Sequence, residues 1–161
     1  AAEYFPQFFT QPSVTVATIS AERTFWEKAT ILHAEAHRPS NKTLPSRYAR
    51  HYYDLYRMAD TTCAANALKS SELLSDVVAF KQKFYPAGWA NYQSATLKSI
   101  QLLPADAHRN ALKADYQAMQ EMIFGDTPNF DTLMHTLNTL QQRIHTLTND
   151  KRTLNANRPN T

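Results

Sequence analysis

Two glycines, Gly88 and Gly125, in 161 residues constrain the fold of this chain more than any other feature. Tight β-hairpins and phosphate-cradling loops need residues that enter positive φ cheaply, and glycine is the residue that does so without steric cost. So glycine-poor a chain reads as helices joined by proline- and asparagine-containing loops. Hydrophobic residues make up 43% of it, enough to give those helices a core. The fold class is therefore mainly α, a helical bundle with at most a short N-terminal β-strand.

That strand is expected over Ser13–Ile19, where Val14 and Val16 alternate with other residues. Ser20 is an N-cap for a first helix running to about His37 and stopping before Pro39, with Phe25, Ala29, Leu32 and Ala36 as its apolar stripe. After a loop over Pro39–Ser46, a second helix spans roughly Ser46 to Ala59. Tyr48, Tyr52, Leu55 and Ala59 have core spacing in it, and each tyrosine hydroxyl needs a polar partner at the core edge. Its opposite stripe carries Arg47, Arg50, His51, Asp54 and Arg57. Ala64–Lys69 reads as a short helix, and another runs from Ser70 or Ser71 to about Tyr85 with Leu74, Val77, Val78, Lys81 and Phe84 in its pattern. Residues 89–103 carry no clear period. Pro104 introduces a helix through Met122 that Gly125 closes, and Thr127-Pro128 begins a last helix burying Phe130, Leu133, Leu137, Leu140 and Ile144. The polar stretch 149–161 reads as a disordered tail.

Net charge is +3 with histidines neutral, a mild basic excess that suits a polyanionic partner and many ordinary domains equally. Cys63 is the only cysteine, which excludes an intrachain disulfide and a cysteine metal cluster and makes a reducing, cytoplasmic setting the default. No stretch approaches the roughly 20 apolar residues of a membrane span. The first residues, with Glu3 and Pro6 and no basic start, do not read as a signal peptide. A beginning at Ala1-Ala2 rather than Met suggests a trimmed chain.

Several constellations invite chemistry. His33-Ala34-Glu35-Ala36-His37 places two histidines on one helical face, but zinc proteases need His-Glu-x-x-His, and zinc deaminases also need paired cysteines. Solvated or helix-capping histidines are the favoured reading, and no metal site is expected here. Lys28 reads either as an exposed lysine paired with Glu27 or Glu35, or as a mobile cation for phosphate oxygens. Asp54, flanked by Arg50 and Arg57, reads equally as part of a surface ion-pair ladder or as an acid held among arginines that steer a polyphosphate or nucleic acid. Neither glycine precedes a serine, no Asp-x-Asp or Asp-x-Glu occurs, and the P-loop and Gly-x-Ser-x-Gly patterns are missing.

Glu22-Arg23-Thr24-Phe25-Trp26-Glu27-Lys28 with Ile31-Leu32-His33, and Arg47-Tyr48-Ala49-Arg50-His51-Tyr52-Tyr53-Asp54-Leu55, resemble the AbiEii/AbiGii nucleotidyltransferase toxin family. So do Asp115-Tyr116-x-x-Met119-x-x-Met122-Ile123-Phe124-Gly125 and Pro128-x-Phe130, in the same order, over roughly residues 13–146. Members are toxins of bacterial type IV toxin–antitoxin and phage-abortive systems. The resemblance implies metal-dependent transfer of a nucleotide from an NTP to an acceptor, tRNA in some members, and a cognate antitoxin encoded alongside. It assigns Lys28 to the triphosphate and Asp54 to orienting or activating the acceptor as the catalytic residue. Arg47, Arg50 and His51 become candidate contacts to phosphate or RNA. Tyr48, Arg50 and His51 depart from the family's Arg-x-Lys-Asp-x-x-Asp pattern, which weakens individual roles for Arg50 and His51 and leaves Asp54 intact. The family's early motifs, a Gly-Ser element and the carboxylates for Mg2+, are missing from this chain. The resemblance thus implies the C-terminal part of such a toxin: residues 1–19 as the remnant of an upstream α/β nucleotidyltransferase core, 20–148 as the helical domain, and a fragment that is inactive alone and binds no Mg2+ itself.

Two other functions compete. A HEPN-type ribonuclease toxin needs a longer gap between arginine and histidine than Arg47 to His51 offers. A non-catalytic helical interaction module predicts a broad exposed apolar patch and no cleft shared by Lys28 and Asp54.

Overall fold

Ser20 opens the first helix as its position predicts. Its hydroxyl accepts from the Arg23 N–H at 3.2 Å, satisfying one of the donors that a helix N-terminus leaves bare. The computed structural model describes residues 18–123 and 125–156, with side chains as far as residue 147. Six helices follow one another: α1 (Ala21–Ala36), α2 (Ala49–Met58), α3 (Thr62–Lys69), α4 (Glu72–Phe84), α5 (Asp106–Gln120) and α6 (Phe130–Ala156). A 3-10 turn at Tyr92–Ser94 lies between α4 and α5, and no strand occurs among the described residues. The architecture is mainly α, as expected. Most of the strand expected over Ser13–Ile19, and of the 1–19 remnant, lies outside the described residues. Thr18 and Ile19 have no regular structure, and Ile19 is exposed. At the other end α6 continues to Ala156, past the tail boundary expected at 149. Lys151, Arg152 and Leu154 are good helix formers, so propagation adds turns there at little cost.

Helix α1 is the axis of the bundle. It packs against α2, α3, α4 and the 3-10 turn. Phe25, Ala29 and Leu32 of the expected stripe are fully buried and Ala36 partly so, but Trp26, Thr30, His33, Ala34 and Glu35 are buried as well. A helix covered around most of its circumference lies inside the fold, not on its surface. The Trp26 indole N–H donates to the Ala67 carbonyl of α3 at 3.1 Å, so even the polar edge of this side chain serves packing.

His33 is neither solvated nor a helix cap. Its Nδ1 accepts from the Gln101 N–H at 3.1 Å, which leaves the ring proton on Nε2, 3.1 Å from both the Asn91 carbonyl and the Ser94 hydroxyl. One buried imidazole thus ties the aperiodic stretch 89–103 to α1, and that stretch delivers Ile100 and Leu102 to the core. Burial pushes the His33 pKa down to about 4. His37 does cap, donating from Nδ1 to the His33 carbonyl at 2.8 Å.

Helix α2 begins later than its apolar spacing suggests. The chain turns at Arg47, whose φ of 63° is left-handed, and regular helix starts at Ala49. No local side chain caps it. Asp115 of α5 does so from a distance, its carboxylate accepting from the N–H groups of Arg47 at 2.6 Å and Ala49 at 2.7 Å. A carboxylate at this position also meets the positive end of the helix dipole. Tyr52, Leu55 and Ala59 enter the core as expected, joined by Ala49, while Tyr48 is half-buried. Contrary to expectation, the buried Tyr52 hydroxyl has no hydrogen-bond partner among the described residues.

Farther along, the Asn129 side chain caps α6 by accepting from the Thr132 N–H at 2.8 Å, slightly later than the expected Thr127-Pro128 start. Phe130, Leu133, Leu137, Leu140 and Ile144 are buried as their spacing predicts, whereas Phe84 at the end of α4 is 57% exposed. Asp115→Ala is expected to destabilise the protein by about 1–2 kcal/mol through loss of the α2 cap. Urea denaturation checks this, and Asp115→Asn, which keeps an acceptor, should lose less.

Candidate functional site

His51 and Asp54 are three residues apart on α2 and so share one face. Packing of α2 on α1 sets that face against Lys28. The Lys28 ammonium lies 2.6 Å from Asp54 Oδ2 and 3.2 Å from His51 Nδ1. An ammonium only donates, so His51 Nδ1 accepts and the neutral ring carries its proton on Nε2. Burial pushes the His51 pKa down to about 4; the cations Lys28 and Arg50 push the same way, and Asp54 opposes them. At neutral pH the cluster is therefore one ammonium, one carboxylate and one uncharged imidazole. The Asp54 side chain is 43% exposed and that of Lys28 21%. So open a pair adds at most about 1 kcal/mol to stability, too little to explain the cluster as a support of the fold.

The competing local pairings are not formed. Glu27 pairs with Arg23 at 3.3 Å, and Glu35 holds Arg38 through two bonds of 2.6 and 2.9 Å. Arg57 lies 6.0 Å above the Tyr53 ring and donates to its hydroxyl at 3.4 Å. Arg50 is exposed and makes no ion pair among the described residues, though its charge reaches His51. Arg47 stands apart on the turn before α2, engaged through its backbone by Asp115. Of the five residues read from the sequence, the fold thus joins Lys28, His51 and Asp54 and keeps Arg50 within electrostatic range, while among the described residues the Arg47 side chain makes no hydrogen bond or ion pair with them.

Lys81 is the residue that sequence reasoning passed over. It lines a cavity of about 290 Å³ whose wall includes Glu35, Arg38, Tyr48, Trp89 and Tyr92. Burial lowers its pKa, Glu27 opposes that shift, and repulsion from Lys28 adds to it. A lysine in the register of Leu74, Val77 and Val78 was the available signal. Tyr48 lines the same cavity and meets the His51 ring edge-on, centroids 5.2 Å apart. Cluster and cavity are therefore neighbours through two side chains. Larger grooves of about 560 and 530 Å³ lie elsewhere, beside Ser71 and Lys98 and beside Tyr56 and Asp126, and include none of these residues.

No three His, Cys, Asp or Glu side chains among the described residues are grouped as metal ligands. Asp54 is the only carboxylate in contact with the Lys28 ammonium among the described residues, and Mg2+ requires near-octahedral oxygen ligation. These side chains do not fit a magnesium site.

The fold and the cluster together define a mainly helical unit that presents a lysine–aspartate–histidine constellation to solvent beside an aromatic, basic cavity. The chain belongs to the AbiEii family, nucleotidyl transferase toxins of type IV toxin–antitoxin systems, whose family model matches residues 2–136. The match encloses the cluster and the cavity and ends within α6. No curated protein and no solved structure matches the chain. No described helix is long and apolar enough to cross a membrane.

Both shifted histidines have folded pKa values below the ordinary 6.5. Their protonation is therefore resisted by the folded state, and the stability they contribute is complete above about pH 6.5 and lost as pH falls toward 4. In an NMR titration His51 is expected to have a midpoint near 4. Lys28→Met should raise it by removing a cation, and Asp54→Asn should lower it.

Proposed function

We propose that this chain contributes Lys28 and Asp54 to a centre that transfers a nucleotide from an NTP to an acceptor hydroxyl, with the 3′ end of tRNA as the candidate acceptor. The acceptor oxygen bonds to the α-phosphorus and gives up its proton to Asp54 as pyrophosphate leaves. Lys28 neutralises charge on the triphosphate, and Asp54 accepts the hydrogen bond of the attacking hydroxyl and orients it. Reactions of this type depend on positioning and charge neutralisation more than on covalent protein groups. The exposed Arg50, the neutral His51 and the exposed Arg47 on the turn before α2 add contacts to phosphate or RNA.

The 2.6 Å contact between Lys28 and Asp54 carries this reading, because it brings the cation and the acid of two separate helices into one solvent-open place. A non-catalytic module does not require such a pair beside a cavity, and the gap from Arg47 to His51 is shorter than a HEPN-type ribonuclease needs. The Gly-Ser element and the carboxylates for Mg2+ do not occur in the 161 residues. Magnesium would be held by residues other than those in this cluster, and the chain alone is inactive. An antitoxin is the expected protein partner of a type IV toxin.

Incubated with labelled NTPs, magnesium and tRNA, this chain is expected to incorporate no label. Turnover by it alone would refute that part of the proposal. In a protein that also carries the Gly-Ser and carboxylate motifs, Lys28→Ala and Asp54→Asn should each lower incorporation by about 10²-fold or more, the usual cost of losing one charge-stabilising group. Unchanged rates in both variants would remove Lys28 and Asp54 from the centre.

A further inference from the structure

The cavity beside the cluster has a composition unlike that of the other grooves. Tyr48, Tyr85, Trp89 and Tyr92 supply four aromatic rings around a space of about 290 Å³. Arg38 lies 4.5 Å over the Trp89 ring and 6.0 Å over that of Tyr48, so a guanidinium fixed by the buried Glu35 carboxylate holds both rings in place. Lys81 lies 4.9 Å over Tyr85, and its charge is repelled by that of Lys28. The space is thus walled by aromatic rings and cations together, with hydrogen-bonding groups among them. Flat aromatic walls suit a flat ring, and the volume, at the lower limit for small-molecule sites, suits one base rather than a bulkier group.

We infer that this cavity is a nucleobase pocket, in which a base stacks on Tyr85 or Trp89 while its phosphates reach Lys81 and Lys28. The inference rests on the nucleotide-transfer reading and adds to it the place of the base. With both Glu35 oxygens bonded to Arg38, the hydroxyls of Tyr48, Tyr85 and Tyr92 are the lining groups available to the base edge, and Lys81 is the lining cation whose charge feels that of Lys28. The base belongs either to the incoming nucleotide or to the terminal residue of an RNA acceptor.

Tryptophan fluorescence tests this directly, because Trp26 is fully buried and bonded to α3, leaving Trp89 as the responsive ring. The chain would be titrated, up to roughly millimolar concentrations, with the four NTPs, with inorganic tripolyphosphate and with a short single-stranded RNA ending in a 3′-hydroxyl. Nucleotide or RNA should quench Trp89, tripolyphosphate should not, and Trp89→Phe should abolish the response. Tyr85→Ala, at an exposed position that leaves the core intact, should weaken binding at least about fivefold. Stronger quenching by free NTP assigns the pocket to the incoming base, and stronger quenching by RNA assigns it to the acceptor. Binding seen by equilibrium dialysis that Lys28→Ala weakens, but that neither quenches Trp89 nor responds to Tyr85→Ala, overturns the pocket and leaves the transfer reading standing. Absence of binding by both NTP and RNA overturns the pocket, while the transfer reading stands or falls with the Lys28 and Asp54 variants of the protein that carries the Gly-Ser and carboxylate motifs.

Discussion

Burial of α1 on nearly all sides is the constraint from which the rest of the structure follows. Phe25, Trp26, Ala29 and Leu32 give it an apolar body, and the polar groups that go inside with them are each satisfied: the indole by Ala67, Thr30 by the Glu27 carbonyl, His33 by three groups of the 89–103 segment. Burying unsatisfied polar groups would cost free energy comparable to the gain from the apolar ones. The bonds of His33 therefore do two things together, closing the core and giving a segment without helical period a definite path.

A central helix has a functional consequence. Lys28 sits on the part of α1 that the surrounding helices leave open, so its stem is held by packing while its ammonium reaches Asp54 and His51. The partners ride on α2, whose start is set by Asp115 of α5. The cluster is thus positioned by three helices distant in sequence, and a change in α5 reaches it through the N-terminus of α2. Around the corner, Lys81 and Tyr48 extend the same surface into the aromatic cavity.

Electrostatically Lys28, Lys81 and Arg50 surround His51, which is kept neutral by burial and by these cations together, with Asp54 opposing them. A neutral imidazole accepts at Nδ1 from the Lys28 ammonium, so it shares that donor with the Asp54 carboxylate and adds no further charge to the cluster.

Much of the fold was legible in the residues alone. Ser20, the apolar spacing of Phe25, Ala29 and Leu32, and the regular stripe of Phe130, Leu133, Leu137, Leu140 and Ile144 each act within a turn or two of helix, and local periodicity reports such interactions faithfully. The strings around Lys28 and Asp54 made the family to which the chain belongs recognisable. The tertiary structure decided everything that depends on residues far apart in the chain: the pairing of Lys28 with Asp54 in place of Glu27 or Arg57, the cap of Asp115 on α2, the burial of His33, and the cavity around Lys81. A side chain's nearest neighbours in sequence compete for it at short range, but which partner prevails depends on how helices pack, and one helical period carries no record of the faces that will meet it.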